Sequence, residues 1–393
     1  MTLANAHALF YGLKAEPSYL ANLDVSDDER AQLMEARSEI RATLKAAASQ
    51  IQLTDSYWQD SYRQKVSWRQ RPEIQVKFMT QGSFAYRTLN EPAQKPKQEI
   101  DLDDGMYVPV QFIANGEPAL AAKGLFEFVD SVLIPLCDAR GWVRDTTKAC
   151  CARVKLWPGA HIDIPIYSIP QDRFNQLRES LAKAHIAVAT RGSVKGGWKL
   201  PSDKIMLAQR DGSWVQSDPQ MIHDWVDGRS ERYGPPFRRL CRFFKGWRDY
   251  SWEKSVLSSI CLMRAIDMAL SELPGLPRGD RDDELILDIA KRLPGIFDGT
   301  IVNPVLWHLC INDWSDQDRD EIVRGAVALR GEMEAALERT GDAEQVVLKL
   351  RNRFGTRIPY RPDAIKMAPK ISAIQKAAAA VVPAPRIIAS TSG

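Results

Sequence analysis

The chain has 393 residues, 45% hydrophobic and 26% charged, the balance of a soluble globular protein rather than a disordered or membrane-embedded one. Its 53 Lys and Arg against 50 Asp and Glu leave a net charge of +3, and no block of consecutive basic residues occurs. A polyanion-binding tail and a stable nucleic-acid partner are therefore not expected. The cysteines form no Cys-x-x-Cys pair, and Cys150 and Cys151 are adjacent. That pattern suits buried thiols in a reducing compartment better than a disulfide framework or a zinc site. The N-terminus lacks a basic-then-apolar leader, and no stretch approaches the ~18 apolar residues of a membrane span, so a cytoplasmic location without a membrane partner is expected.

Ser26-Asp27-Asp28-Glu29 reads as a capping box, and Leu33, Ile40, Leu44 and Ile51 recur at helical spacing. A long helix is predicted from about Asp27 toward Trp58. The alternation in Ile74 to Met79 predicts a strand, directly followed by Gly82-Ser83. Residues 90–98 are polar and contain prolines, as loops do. Glu99 to Val110 reads as a strand interrupted near Gly105. Residues 119–138 have helical periodicity. Ala152 to Leu156 and His161 to Ser168 read as paired strands about a turn at Pro158-Gly159. The span 190–216 is Gly-rich and carries no assignment.

Beyond Asp218-Pro219, a plausible N-cap and first helical position, helices are predicted over 237–250, 256–270, 281–293 and 318–340. Lys370 to Gly393 is rich in Ala, Pro and Ser and reads as a flexible tail. The expected fold class is α+β. A helical region with a long spine helix occupies 1–70, an α/β core 71–217, a helical domain 218–365 and a tail 366–393.

The chemistry concentrates in Asp101-Leu102-Asp103 and in Asp163 of His161-Ile162-Asp163-Ile164-Pro165. Residues i and i+2 of a strand share a face. Asp101 and Asp103 therefore point together, away from Leu102, and His161, Asp163 and Pro165 share the site-facing side of a second strand. Three carboxylates brought together repel one another unless cations bind them. Paired divalent metals held by such carboxylates support phosphoryl and nucleotidyl transfer. Gly82-Ser83 lets backbone approach a phosphate closely. Arg238, Arg242, Lys245 and Asp249 share one helix face, which is either a solvated surface or a cationic wall of a cleft. His161 is assigned a structural role, since magnesium prefers oxygen ligands.

Gln81-Gly82-Ser83-Phe84-Ala85-Tyr86-Arg87-Thr88, Glu99-Ile100-Asp101-Leu102-Asp103-Asp104-Gly105 and His161-Ile162-Asp163-Ile164-Pro165 together resemble the cGAS/DncV-like nucleotidyltransferases. So do Ser217-Asp218-Pro219, the segment Leu240 to Asp249, and Leu257-Ser258-Ser259. The resemblance implies a polymerase-β-like core, a mixed sheet with flanking helices, joined to a C-terminal helical domain across a central cleft. It implies synthesis of a cyclic di- or trinucleotide second messenger from ATP, GTP or both, in bacterial anti-phage defence. Asp101, Asp103 and Asp163 would hold two Mg²⁺ ions, which Mn²⁺ can replace. Gln81, Gly82 and Ser83 would cradle the donor triphosphate, and Tyr86 would lie near a base. Lys245 and Ser259 would contact the triphosphate, with Ser217 and Arg153 as weaker nucleotide contacts. It also implies that Gly393 is joined to a target by a ubiquitin-transfer-like conjugating enzyme. The alternatives are a template-independent RNA nucleotidyltransferase and a catalytically dead scaffold.

Overall fold

The computed structural model describes residues 2–12, 16–111, 116–170, 205–217, 219–275 and 280–368. Asp218, the tail from 369 onward including Gly393, and most of the unassigned 190–216 lie outside these residues. Near the N-terminus come β1 (Ala4–Asn5) and α1 (His7–Phe10), then α2 (Asp27–Ala47). Ser26 caps α2 by accepting from the Glu29 amide and donating to the Glu29 carboxylate, the reciprocal pair that the sequence signals. Leu33, Ala36, Ile40 and Leu44 form its buried stripe. The helix is shorter than predicted. It stops at Ala47 and continues as α3 (Ser49–Leu53) and α4 (Asp60–Arg63), because Trp58 turns inward and donates to the Ile51 carbonyl.

The catalytic half is built on β2 (Lys77–Thr80), the short α5 (Gly82–Ala85), β3 (Ile100–Val110), α6 (Ala122–Arg140), β4 (Val143–Asp145), β5 (Ala152–Trp157), β6 (Ala160–Ile164), β7 (Ile166–Pro170), β8 (Met206–Ala208) and β9 (Trp214–Gln216). Among the described residues these make an eight-stranded mixed sheet in the order β4-β5-β6-β3-β7-β8-β9, with β2 also paired to β3. β3 runs unbroken through Gly105, against the predicted interruption. Its partner breaks instead. β6 and β7 lie parallel to β3 in one continuous register, Asp103 opposite Asp163 and Met106 opposite Ile166, separated at Pro165, which has no N–H to give the ladder. Gly105 has a different task. A Cβ there would sit 2.3 Å from the Gln81 side-chain nitrogen, so glycine makes room for that amide.

The second half is helical: α7 (Pro219–Tyr233), α8 (Pro236–Ser251), α9 (Ser259–Ser271), α10 (Asp282–Asp298), α11 (Asp316–Glu334) and α12 (Ala343–Phe354), closed by β10 (Lys366–Met367). Two large cores result. One lies under the sheet and takes in α2 and α6. The other is helical and also takes in Ala4, Leu9, Phe10, Tyr19 and Leu23. The N-terminal region is therefore divided between both halves. Residues 4–10 and 19–23 belong with the helical half, and β1 pairs β10, drawing residues 366–367 out of the predicted tail. Two of the cysteines, Cys150 and Cys310, are exposed rather than buried. No described helix is long and apolar enough to cross a membrane.

Asp103 and Asp104 face opposite ways. Asp104 is 1% exposed and is held by Arg41 of α2, whose Nε donates to Oδ2 at 2.6 Å. This pair ties the back of β3 to the spine helix. Arg41→Ala leaves a buried carboxylate short of its counter-charge and is expected to cost roughly 3 kcal/mol, read as a lowered unfolding midpoint in urea.

Candidate active site

A cleft of about 820 Å³ opens between the sheet and the helical half. Its walls include Gln81, Gly82, Ser83, Tyr86, Asp101, Asp103, Ser217, Lys245 and Ser259, drawn from positions spread over much of the chain. Arg153 and Asp163 are not among its lining residues. Arg153 on β5 faces Asp163 on β6 across an antiparallel pair and grips both carboxylate oxygens at 2.7 Å. The structure thus brings Arg153 to a carboxylate and not to the cleft wall.

Strand geometry places the acidic groups. Asp101 stands opposite His161, and Asp103 opposite Asp163, on adjacent parallel strands. Leu102, between the two aspartates, is fully buried in the core beneath. Asp101, His161 and Asp163 each offer one ligand atom, all within 4.8 Å of one another. Burial and the charges of Asp101 and Asp163 push Asp103 up to about 8. Asp101 moves the other way. Burial opposes its ionisation, but His161, Arg153 and Lys245 outweigh it and hold the carboxyl below its usual range. A carboxylate set in which one member is driven toward protonation by the others has the donor chemistry of a hard divalent cation site. Asp101, Asp103 and Asp163 fit that purpose, and a buried, partnerless Oδ1 on Asp101 adds to the fit.

Gly82 is required at its position. Its φ is +61°, and a Cβ there would lie 1.9 Å from Asp103 Oδ2. The Gln81 amide donates to the Asp103 carbonyl at 2.8 Å, stitching the Gly-Ser turn to the metal strand. The Gln81 side chain is held between Tyr107 and Tyr167, donating to one hydroxyl and accepting from the other. Tyr86 is 8% exposed, with burial raising its hydroxyl above the usual range, and its ring lies 5.7 Å from that of His223.

The opposite wall belongs to α8 and α9. Lys245 is 6% exposed and donates to the Thr88 carbonyl at 2.8 Å. Burial, reinforced by nearby Arg248, lowers it to about 8. Ser258 caps α9 by accepting from the Cys261 amide, and Ser259 accepts from Arg248 at 3.1 Å. The face of α8 carrying Arg238, Arg242 and Lys245 is not a solvated surface. Arg238 donates to the Tyr86 carbonyl and Arg242 to Asn90, so the face docks on the segment after the Gly-Ser turn.

Sequence reasoning passed over several contributors. Glu99 meets His161 Nδ1 at 2.6 Å, and His161 Nε2 lies 3.1 Å from Asp101 Oδ1. The alternation on β6 already put His161 on the face of Asp163. Arg248 and Cys150 also line the cleft. Arg248 lies in the segment Leu240 to Asp249 but drew no role there, and Cys150 belonged to no motif, because their place depends on how the two halves meet.

The raised Asp103 makes a test. Its native carboxyl binds a proton that the unfolded chain, titrating near 4, has already released. Metal-free protein should therefore lose stability as pH rises from about 4 to about 8, and Asp103→Asn should remove that loss. The expected result is a thermal-midpoint advantage of the variant over wild type in chelator that is larger at pH 8 than at pH 5. An advantage independent of pH would contradict it.

Residues 76–167 match the family described as cyclic GMP-AMP synthase DncV-like, nucleotidyltransferase domain, and residues 234–366 match the cyclic GMP-AMP synthase C-terminal domain. A cyclic GMP-AMP synthase of Escherichia coli strain TW11681 is 32% identical over 304 residues, 72% of this chain and 68% of the relative. One from Vibrio cholerae is 36% identical over 250 residues, 58% of this chain and 54% of the relative. Among solved structures, Vibrio cholerae DncV with the linear intermediate 5′-pppA(3′,5′)pG superimposes with a TM-score of 0.76 at 26% identity, covering 94% of this chain and all of that one. Escherichia coli DncV with 3′-deoxy GTP gives a TM-score of 0.73 at 26% identity, covering 93% of this chain and all of that one. A carboxylate-bearing parallel strand pair facing a cationic helical wall, together with these matches, shows that the chain belongs to the cGAS/DncV-like nucleotidyltransferases.

Proposed function

We propose that the protein joins ATP, GTP or both into a cyclic di- or trinucleotide, releasing pyrophosphate at each bond formed. The reading is carried by Asp101 and Asp163 within ligand distance of one another, with Asp103 opposite Asp163 on the paired strand, beside a cleft of triphosphate size that Asp101 and Asp103 line. Relatives named as cyclic GMP-AMP synthases, one of them bound to a linear dinucleotide, supply the cyclic product.

Each side chain has a role that its surroundings support. Two Mg²⁺ ions, held by Asp101, Asp103 and Asp163, would supply Lewis-acid stabilisation of the attacked phosphate and of the attacking ribose hydroxyl. Gly82 and Ser83 receive the donor phosphates on backbone that carries no Cβ at the closest point. Gln81, clamped by two tyrosines, fixes that turn. Burial lowers Lys245 to about 8, and an arriving triphosphate favours its charged form. Ser259 and Arg248 extend the anion-binding wall. Tyr86 and Ser217 line the cleft and would meet a nucleoside. Arg153 acts through Asp163, holding that carboxylate's orientation rather than touching a nucleotide.

We place the reaction in the cytoplasm, where nucleoside triphosphates are supplied, and its product in anti-phage signalling. Conjugation of Gly393 by a ubiquitin-transfer-like enzyme is the part of the reading that rests on the sequence resemblance alone.

Labelled ATP and GTP with Mg²⁺ should yield a small product resistant to phosphatase. A ladder of linear RNA would instead identify a polymer-making transferase, and no turnover a scaffold. Asp101→Asn should lower turnover at least ~100-fold with the fold retained. Gly82→Ala, which drives a methyl group into Asp103, should also cost ~100-fold, with the main loss in kcat. Full activity in either variant would mean the reacting phosphate lies elsewhere.

A further inference from the structure

We propose that His161 is a nitrogen ligand of the cation site and tilts it toward Mn²⁺ over Mg²⁺. The inference rests on the reading of Asp101 and Asp163 as cation ligands. His161 is 5% exposed, and its two ring nitrogens have unlike surroundings. Nδ1 lies 2.6 Å from Glu99 Oε2, a carboxylate that can only accept, so the Nδ1 hydrogen points there. In the neutral ring this fixes the tautomer and leaves a lone pair on Nε2.

Nε2 has no hydrogen-bond partner, although it is buried. It lies 3.1 Å from Asp101 Oδ1 and 3.9 Å from Asp163 Oδ1. Asp101 Oδ1 is also buried and also lacks a hydrogen-bond partner, while the rest of that side chain reaches the cleft. Nε2, Asp101 Oδ1 and an Asp163 oxygen lie close enough together for one cation to take all three as ligands, replacing the proton that the ring shares with Asp101 in the metal-free protein. The sequence Glu99–His161–cation is the arrangement by which a second carboxylate orients a metal-bound imidazole and raises its basicity.

The ligand set has a consequence for selectivity. Mg²⁺ is held by oxygen and dehydrates reluctantly, whereas imidazole is a good donor to first-row transition ions. Two carboxylates plus one imidazole therefore bind Mn²⁺ with a gain that Mg²⁺ does not share. Position 161 sets cation preference, and Glu99 is a positioning residue for it.

The test uses the full-length, metal-free protein with Mn²⁺ alone and Mg²⁺ alone. Pulsed electron paramagnetic resonance of the Mn²⁺-loaded wild type should show the coupling of a directly bonded ¹⁴N, replaced by the ¹⁵N pattern when only histidine is ¹⁵N-labelled. Calorimetry should give a Mn²⁺ affinity at least ~tenfold lower in His161→Gln, with Mg²⁺ affinity changed much less, and a smaller Mn²⁺ loss in Glu99→Gln. Equal losses for both cations, or Mn²⁺ bound without nitrogen coupling, would overturn the inference. If His161→Gln does not fold, the coupling in the labelled wild type decides alone. These readouts do not depend on what the enzyme makes, so a linear product would overturn the proposed function and leave this inference standing.

Discussion

Like charge forced together is the constraint around which this molecule is arranged. The parallel register of β3 with β6 sets Asp103 opposite Asp163, with Asp101 one pleat away, and no sheet geometry lets them separate. Burial, and then their repulsion, drives Asp103 toward the protonated form. The surrounding residues answer it. Arg153 grips Asp163, His161 approaches Asp101, and Arg41 neutralises Asp104 on the far side of the strand. The compensation is incomplete on the cleft side, which is where a cation and a triphosphate would complete it.

The second requirement is that the helical half meet the sheet at the right place. The segment from Tyr86 to Gln98 does this. Arg238 reaches the Tyr86 carbonyl, Lys245 that of Thr88, and Asn90 exchanges hydrogen bonds with Arg242. Gln94 and Gln98 donate to the Asp249 carbonyl, and Gln98 also to that of Trp252. A stretch that looks like an ordinary polar loop is the strap between the lobes. Its glutamines satisfy carbonyls at the C-terminal end of α8 that would otherwise go unpaired, and Asn90 adds a bond to the mid-helix carbonyl of Arg242. The helical wall carrying Lys245 is thereby held against the carboxylates largely by hydrogen bonds made to backbone.

Much of the architecture was legible. The Ser26 cap, the stripe on α2, the alternation around Asp101 and Asp103, and the helical second half all follow from local pattern. The errors share a cause. The spine helix ends early because Trp58 is claimed by the core, and the strand break falls at Pro165 rather than Gly105 because glycine there serves a neighbour's amide. Residues 4–10 and 19–23 joined the helical half through contacts with α8 and α12 that no local signal encodes.

The sequence by itself determined the family and which acidic residues share a face, since period-two spacing commits Asp101 and Asp103 to one side of their strand and the flanking motifs carry the resemblance. Tertiary structure decided what those residues meet. Whether Arg153 touches a nucleotide or a carboxylate, whether the face of α8 is solvated or docked, and where the second nitrogen of His161 points all depend on distances between elements far apart in the chain. Local pattern specifies the direction of a side chain relative to its own backbone. The partner at the end of that direction is set by packing of the whole fold.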